Sequence, residues 1–198
     1  AQGFQVHVNA ATTLNFDNSF RNTGAATWYQ NGSWFDYKLE VSVIGNTGAD
    51  KTIVFFNQDA TNSYEPMYDV TKTPSNIGRP TLSTSNGSKK LGLNGMSVND
   101  LGEIIPMNLT PGTSGSFSLS FEGKETFPTN TTIYVKDLLL NTVHNIADGD
   151  YDFNSNTTDV SERFELIFVP ALSFSTAAIG CNNEEGSIIL DSNLGLAN

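Results

Sequence analysis

The sequence predicts an all-β protein, an antiparallel β-sandwich of the jelly-roll type. Many segments alternate apolar and polar residues, which is the pattern of strands with one buried face. Roughly a dozen such segments recur at spacings of about 8 to 15 residues, separated by turns rich in Gly, Asn, Asp and Pro. No window keeps a helical period over three turns. Short, regularly spaced strands favour a sandwich over a helix-containing fold.

The most informative stretch runs from Tyr37 to Asp69. Its first run alternates, and one face carries Tyr37, Leu39, Val41 and Val43. A turn rich in Gly, Asn and Asp leads into Thr52–Phe56, which is almost wholly apolar. We therefore expect a hairpin whose second strand is covered on both faces. An oxygen-rich loop follows it.

Before this hairpin, strands are predicted at Gln2–Asn9 and Thr12–Phe16, and a polar loop at 18–33. After it, strands are predicted at Arg79–Ser83 and Lys89–Asn94, with Asn94-Gly95 as a turn signal.

Seven further strands are predicted on the C-terminal side, most of them alternating. They are Ile104–Leu109, Ser116–Glu122, Thr131–Asp137, Leu138–Leu140, Val143–Ile146 and Asp150–Phe153, followed by the strong strand Arg163–Val169. Pro106 within the first of these predicts an edge position or a bulge, because proline donates no ladder hydrogen bond.

Pro170 ends the pattern, so we expect one sandwich domain at 1–169. We interpret 170–198 as a linker and the start of a following β module, because it holds two more short apolar runs, Leu172–Phe174 and Ser187–Leu190. The alternative is that these runs complete the sandwich. The chain begins at Ala1 without a signal peptide, and we expect a mature form or a segment of a longer protein.

The composition limits the class of partner. Lys+Arg is 10 against 21 Asp+Glu, a formal charge of -11, so we expect no nucleic-acid binding, which needs clustered cations. No apolar run approaches the roughly 18 residues of a membrane helix, so we expect no membrane insertion. Cys181 is the only cysteine, which excludes an intrachain disulfide.

Two acidic segments are candidate Ca²⁺ sites. Asp148, Asp150 and Asp152 stand at alternate positions, and in a loop their oxygens can converge on an ion that takes six to eight oxygen ligands. A solvated turn is the favoured interpretation, because the spacing is not that of an EF-hand. Asp59 and Asp69 bound the second segment, where we favour a structural role in bracing the loop over an ion.

An aromatic cluster is the candidate ligand site. Trp28, Tyr29 and Trp34 surround a segment rich in amide and hydroxyl side chains. Exposed aromatic rings beside such groups can stack on sugars, although aromatic residues at strand ends more often pack at the rim of a core.

We expect no enzyme activity. His7 and His144 lie in no nucleophile motif, and neither a G-x-S-x-G nor an H-E-x-x-H sequence occurs. A pair of carboxylates for glycoside hydrolysis stays open, because their separation depends on the fold.

An ordered set of segments resembles a β-sandwich module of large secreted proteins of the Bacteroidetes, which include gliding-motility adhesins and other cargo of the type IX secretion system. The segments span about residues 3–169 and are Gly3-Phe4, Leu14–Arg21, Leu39–Val43, Asp59–Asn62, Tyr68-Asp69, Ile105–Leu109, Gly115–Phe117, Ile133–Asp137, Thr142–His144, Tyr151–Phe153 and Glu162–Leu166.

The resemblance implies a non-catalytic module that is exported to the cell surface or the medium by the type IX secretion machinery. Its other partners would be neighbouring modules of the same long chain and surface glycans. In the family further strands usually precede the Gly-Phe segment, which implies that the domain at 1–169 lacks upstream strands. A carbohydrate-binding module of a secreted polysaccharide-degrading enzyme is the alternative function, and a hydrolase domain is a third.

Overall fold

The computed structural model of the chain describes Thr13, residues 35–75 and 78–170, and the backbone of 173–177 and 187–191. The chain divides into two compact units, Ala1–Ser33 and Trp34–Asn198, and the strands described below belong to the second. The strands predicted at 2–9 and 12–16 and the polar loop at 18–33 lie outside the described residues, apart from Thr13.

The described part is almost wholly β-structure, which confirms the all-β prediction. One mixed sheet contains eleven strands. They are β1 (Tyr37–Gly45), β2 (Gly48–Asn57), β3 (Val70–Thr71), β4 (Thr81–Asn86), β5 (Lys89–Ser97), β6 (Ile104–Thr110), β7 (Gly115–Glu122), β8 (Thr132–Asp137), β9 (Thr142–Asn145), β10 (Tyr151–Ser155) and β11 (Glu162–Val169). Three-residue 3-10 turns stand at Val98–Asp100, Lys124–Thr126 and Ile146–Asp148.

The sheet order is β10-β7-β1-β2-β5-β4-β6-β11-β8-β9, with β3 beside β5. All neighbours are antiparallel except β2 and β5, which run parallel. The sheet is therefore mixed rather than purely antiparallel as predicted. The parallel pair arises because the chain between β2 and β5 forms β3 and β4 before it returns alongside β2.

The predicted hairpin of β1 and β2 is confirmed, with pairing from Tyr37↔Phe56 to Gly45↔Gly48. Leu39, Val41 and Val43 are fully buried, as their alternation predicts. Burial of each such side chain contributes about 1.5–3 kcal/mol.

The second strand is covered on both faces. Val54 and Phe56 belong to the core, while the ring of Phe55 packs beside that of Tyr68, with centroids 6.4 Å apart. The prediction of a turn at Asn94-Gly95 is wrong, because both residues lie inside β5. A Cβ on Gly95 would meet the Cβ of Tyr68 at 2.6 Å, so glycine is needed here for close packing.

Leu138–Leu140 does not form the predicted strand. These residues make the turn between β8 and β9, and their side chains are exposed. The carboxylate of Asp137 accepts hydrogen bonds from the N–H groups of Leu139 and Leu140, and Asn141 adopts a left-handed φ of 53°. Local capping by Asp137 therefore outweighs the apolar run.

Pro106 lies in β6, an interior strand between β4 and β11, and not at an edge of the sheet. The pairing with β4 extends only from Met107 to Thr110, so at Pro106 that side of β6 is open and the missing N–H interrupts no bond to β4. The bulge occurs in the partner strand, where the register of β11 shifts between Glu162 and Phe164.

The two end strands of the sheet, β9 and β10, approach each other and nearly close it into a barrel. The hydroxyls of Thr142 and Tyr151 lie 2.9 Å apart, and the rings of His144 and Tyr151 have centroids 5.4 Å apart. The core fills the enclosed space with side chains from both halves of the sheet; the rings of Phe56 and Phe168 meet edge to face at 5.2 Å.

The short runs predicted after Pro170 are strands in the structure. β12 (Ser173–Ala177) and β13 (Ser187–Asp191) pair antiparallel and form a separate two-stranded sheet. Their assignment to a following module stays a prediction.

Candidate functional site

A polar groove of about 500 Å³ lies over β10, β7 and β1. Its lining consists of Ile44, Gly45, Asn46, Ser116, Phe117, Ser118, Asp152, Phe153 and Asn154. We call it the polar groove.

Strand alternation places the hydrogen-bonding side chains of the groove on the outer face of the sheet. Because Phe117 and Phe153 point into the core, Ser118 and Asp152 point outward, as do Ser116 and Asn154. The register sets Ser118 opposite Asp152, and Ile44 on β1 pairs with Ser118 from the other side. The result is a row of polar groups bounded by one exposed aliphatic side chain.

The chemistry of the groove suits a ligand rich in hydroxyl groups. The hydroxyl of Ser116 donates to the Oδ1 atom of Asn154 at 2.8 Å, which orients both groups. Asp152 is exposed and offers carboxylate oxygens as acceptors, and Ile44 is 53% exposed and offers an apolar contact. Sugars present such a mixture of hydroxyls and C–H surface.

The structure does not gather the acidic triplet into one cluster. Asp148 ends a 3-10 turn, Asp150 precedes β10 and Asp152 lies within β10, and all three side chains are exposed. Across the described residues no group of three or more His, Cys, Asp or Glu side chains is arranged to hold a metal ion. Asp152 contributes to the polar groove instead.

Two carboxylates of the second acidic segment, those of Glu65 and Asp69, bond to backbone N–H groups. Asp69 is buried and accepts hydrogen bonds from the N–H groups of Glu65 at 2.7 Å and Gly95 at 2.9 Å. The carboxylate of Glu65 accepts from the N–H of Thr61 at 2.8 Å, while Asp59 is exposed. These bonds brace the loop against β5, which is the role that the sequence analysis favoured.

Trp28, Tyr29 and Trp34 lie outside the described residues, as do His7 and Cys181, so the aromatic sugar platform stays a prediction. His144 is described, and its Nε2 atom donates to the carbonyl oxygen of Gly149 at 2.9 Å, which ties β9 to the turn before β10.

A buried ion pair joins the strands where the sheet closes. Arg163 on β11 and Asp137 on β8 are 2% and 1% exposed. Arg163 donates from Nη2 to Asp137 Oδ2 at 2.7 Å and from Nε to the same oxygen at 3.1 Å. Its Nη1 atom donates to the carbonyl of Asn154 on β10 at 2.9 Å. We call this arrangement the Arg163 clasp.

Aromatic rings and a phenol complete the clasp. The guanidinium lies over the rings of Phe153 and Phe164, 4.5 and 5.1 Å from their centroids. The Tyr151 hydroxyl donates to Asp137 Oδ2 at 3.2 Å. Burial raises the pKa of the Tyr151 phenol above its ordinary value; the hydrogen bond with Thr142 opposes this, and the charge of Asp137 adds to it.

Asp159 lies at the outer side of the clasp, with a carboxylate oxygen 3.7 Å from Arg163 Nη1. The N–H of Asn156 donates to that carboxylate at 2.7 Å and is the main cause of the lowered pKa of Asp159, to which the Ser155 hydroxyl and the charge of Arg163 also contribute.

Sequence analysis did not find this clasp. By alternation with Phe164, Arg163 belongs on the outer face, but the bulge in β11 beside it changes its direction. A signal was available at Asp137, which shares the inward face of Ile133 and Val135, because a carboxylate at an inward position requires a partner.

The geometry defines an all-β domain with a nearly closed sheet and a polar outer groove. The chain belongs to a family described as a domain of unknown function, DUF8693, whose model matches residues 1–168. No curated protein and no solved structure matches the chain. Within the described residues, no helix has the length and apolar character to span a membrane.

Proposed function

We propose that this chain is a non-enzymatic module of a large secreted or cell-surface bacterial protein of the adhesin type, and that it contributes to adhesion and display. The segments that resemble Bacteroidetes proteins of the type IX secretion system support an extracellular location outside the outer membrane. Neighbouring modules of the same chain, the secretion machinery and surface glycans are its proposed partners.

The polar groove is the observation that supports this function. It combines the carboxylate of Asp152, the amide of Asn154 and two serine hydroxyls on one face of the sheet. Strands fix these groups in position, so a glycan that binds them meets a preorganised set of donors and acceptors. The Arg163 clasp holds β10, which carries two of the four groups.

We also infer that the nearly closed sheet is flattened into two layers, as in a jelly-roll sandwich. Contacts across the core support this inference: Phe56 on β2 meets Phe168 on β11, although three strands separate β2 from β11 in the sheet. An experimental structure with two layers about 10 Å apart supports the sandwich, and a round cross-section contradicts it.

The function is tested by screening the chain against arrays of bacterial surface glycans and against insoluble polysaccharides. We expect Asp152→Ala to weaken glycan binding by about 10- to 100-fold, because hydrogen bonds to a charged group contribute about 1.5–3 kcal/mol. Asp150→Ala is the matched control, since it removes the same charge two residues away from an exposed position that does not line the groove.

Equal effects of Asp152→Ala and Asp150→Ala contradict the groove as the binding site. Absence of binding across both panels contradicts the adhesive role. Turnover of any glycan that depends on one carboxylate of the chain contradicts the non-enzymatic assignment. Protease digestion of intact cells tests the location, because a surface module is cleaved while a cytoplasmic marker stays intact.

A carbohydrate-binding module of a polysaccharide-degrading enzyme is the second candidate. The open groove of about 500 Å³ favours it, because a polysaccharide chain needs an accessible surface and not an enclosed pocket. Binding to an insoluble polysaccharide, lost on Trp28→Ala, supports this candidate over the adhesin module. Binding only to cell-surface glycans supports the adhesin.

A further inference from the structure

A second cavity concentrates positive charge in an acidic protein. It measures about 220 Å³, and its ten lining residues include Lys72, Arg79 and Lys90 but no acidic residue. Lys and Arg make up three of the ten residues that line the cavity, but only about one in twenty residues of the whole chain. We propose that this cavity binds an oxyanion, either free or as the acid group of a molecule about the size of one sugar ring.

Two of the three cations are available to a ligand. Lys72 forms an ion pair with Asp50, with its Nζ atom 2.7 Å from Oδ2, and also donates to the carbonyl of Lys51. Within the described part of the chain, Arg79 and Lys90 form no ion pair, and both are exposed. Lys72, Arg79, Lys90 and Asp50 together leave a local excess of two positive charges, while the whole chain carries -11.

The backbone holds these cations at the cavity. The N–H of Lys72 donates to the carbonyl of Lys90 at 2.8 Å, which fixes β5 beside the segment after β3. Gly112 packs directly on the backbone of Arg79, where any Cβ would lie 2.4 Å from the Arg79 carbonyl oxygen. The two loops therefore meet only because residue 112 is glycine, with φ of 74°.

The size and the polar lining match a small anion. Water occupies about 30 Å³ per molecule, so the cavity holds about seven waters, enough for sulfate, phosphate or one sugar ring. Ser83 and Thr81 add hydroxyls to the lining, and Gly78 leaves the wall open, since a Cβ there would meet no atom within 4 Å. Charge-assisted hydrogen bonds from Arg and Lys to an oxyanion are the strongest polar contacts of this kind.

This site is independent of the polar groove, since the two linings share no residue. A failed glycan screen leaves the anion site in place, and Asp152→Ala should not change anion binding. The two proposals therefore fail separately.

The test is an NMR titration of the isotope-labelled chain with sulfate, with glucuronate and with uncharged glucose at low ionic strength. We expect saturable shifts of the amides of Gly78, Ser83 and Gly112 with at least one anion, and none with glucose. Shifts with glucuronate alone identify an acidic sugar, and shifts with sulfate alone identify an inorganic or sulfated ligand. Added salt should weaken the binding by screening.

The chain offers a matched pair of variants. Lys90→Gln should weaken anion binding about tenfold, and Arg79→Gln by a similar factor. Lys89→Gln removes the same charge from the adjacent residue, whose Nζ atom lies over the ring of Tyr64, 4.3 Å from its centroid, and should change binding less than about twofold. Equal weakening by Lys89→Gln and Lys90→Gln, equal shifts with glucose, or no saturable shift at the cavity overturns the proposal.

Discussion

Removal of either charged partner of the Arg163 clasp should strongly destabilise the domain. Asp137→Ala removes the carboxylate that binds the buried guanidinium of Arg163 and leaves Asp159, 3.7 Å from Nη1, as the nearest counter-ion. It also removes the acceptor of the N–H groups of Leu139 and Leu140 and one of the two partners of the Tyr151 hydroxyl. A buried charge that loses its direct partner costs about 3–5 kcal/mol. For a domain of this size the melting temperature should fall by roughly 6–20 °C.

A double-mutant cycle separates the pair from its neighbours. Arg163→Met should cost a similar amount, because it leaves the buried carboxyl of Asp137 without its partner and the carbonyl of Asn154 without its donor. The double variant Asp137→Ala/Arg163→Met should cost at least about 2 kcal/mol less than the sum of the single variants, because no buried charge is then left unpaired.

The adjacent ion pair on the same two strands is the control. Lys136 and Glu165 are 3.1 Å apart but have side chains 33% and 24% exposed. Replacing them with Met and Leu should cost less than about 1 kcal/mol. Unfolding is measured with urea and far-ultraviolet circular dichroism, and amide hydrogen exchange at Phe153 reports loosening of β10. The reasoning is refuted if the clasp variants cost no more than the control, or if the single effects simply add.

Three further predictions concern the core, the pH dependence and metal binding. Asn94 is fully buried, and within the described part of the chain neither polar atom of its amide has a hydrogen-bond partner, so Asn94→Leu should raise the free energy of unfolding by about 1–3 kcal/mol; a loss of stability in urea unfolding contradicts this. The pKa of Asp159 is lower in the folded state than in the unfolded state, where it is about 3.9, so the ionised carboxylate stabilises the fold at pH values above about 3.9. This stabilisation is lost as the pH falls through the pKa of the folded state, so Asp159→Asn should lower the melting temperature at about pH 7 but not at about pH 2. A thermal melt with Ca²⁺ and with EDTA should give the same midpoint, because the exposed Asp148, Asp150 and Asp152 do not converge; an upward shift with Ca²⁺ that Asp150→Asn abolishes contradicts it.

The strands β1, β7 and β8, and β11 from Phe164 onward, were predictable because their inward residues follow a period of two, and β2 was predictable because its second half is almost wholly apolar. Errors occurred where a contact outside the segment decides the conformation. Gly95 continues a strand because Tyr68 packs against its α-carbon, and Leu138–Leu140 turns because Asp137 caps the N–H groups that follow it. Tyr68 and Asp137 both lie outside the segments whose conformation they determine. Periodicity and turn propensity within each segment therefore predict the wrong conformation.

The polar groove was predictable in part. In the predicted strand Ser116–Glu122 the serines alternate with Phe117 and Leu119, so alternation alone predicts that Ser116 and Ser118 face outward, and Asp152 is notable for its charge. The sequence does not show that β7 and β10 are neighbours, because a register such as Ser118↔Asp152 joins residues that are far apart in the chain. From the sequence the carboxylate is therefore grouped with Asp148 and Asp150, as a solvated turn or a candidate Ca²⁺ site, and not with its neighbours in space.

The Arg163 clasp and the polar groove share strand β10, and the near-closure of the sheet explains why. The end strands β9 and β10 have only four and five residues, and an unpaired edge of a sheet invites association with other chains. Side chains join these edges instead: Tyr151 contacts Thr142, and Arg163 binds the backbone of Asn154 from inside. The same residue, Asn154, turns its side chain outward to Ser116 in the groove. The buried Arg163 therefore also fixes the position of the hydrogen-bonding groups on the outer face of β10. The stability of the nearly closed sheet and the geometry of the candidate binding site depend on the same strand.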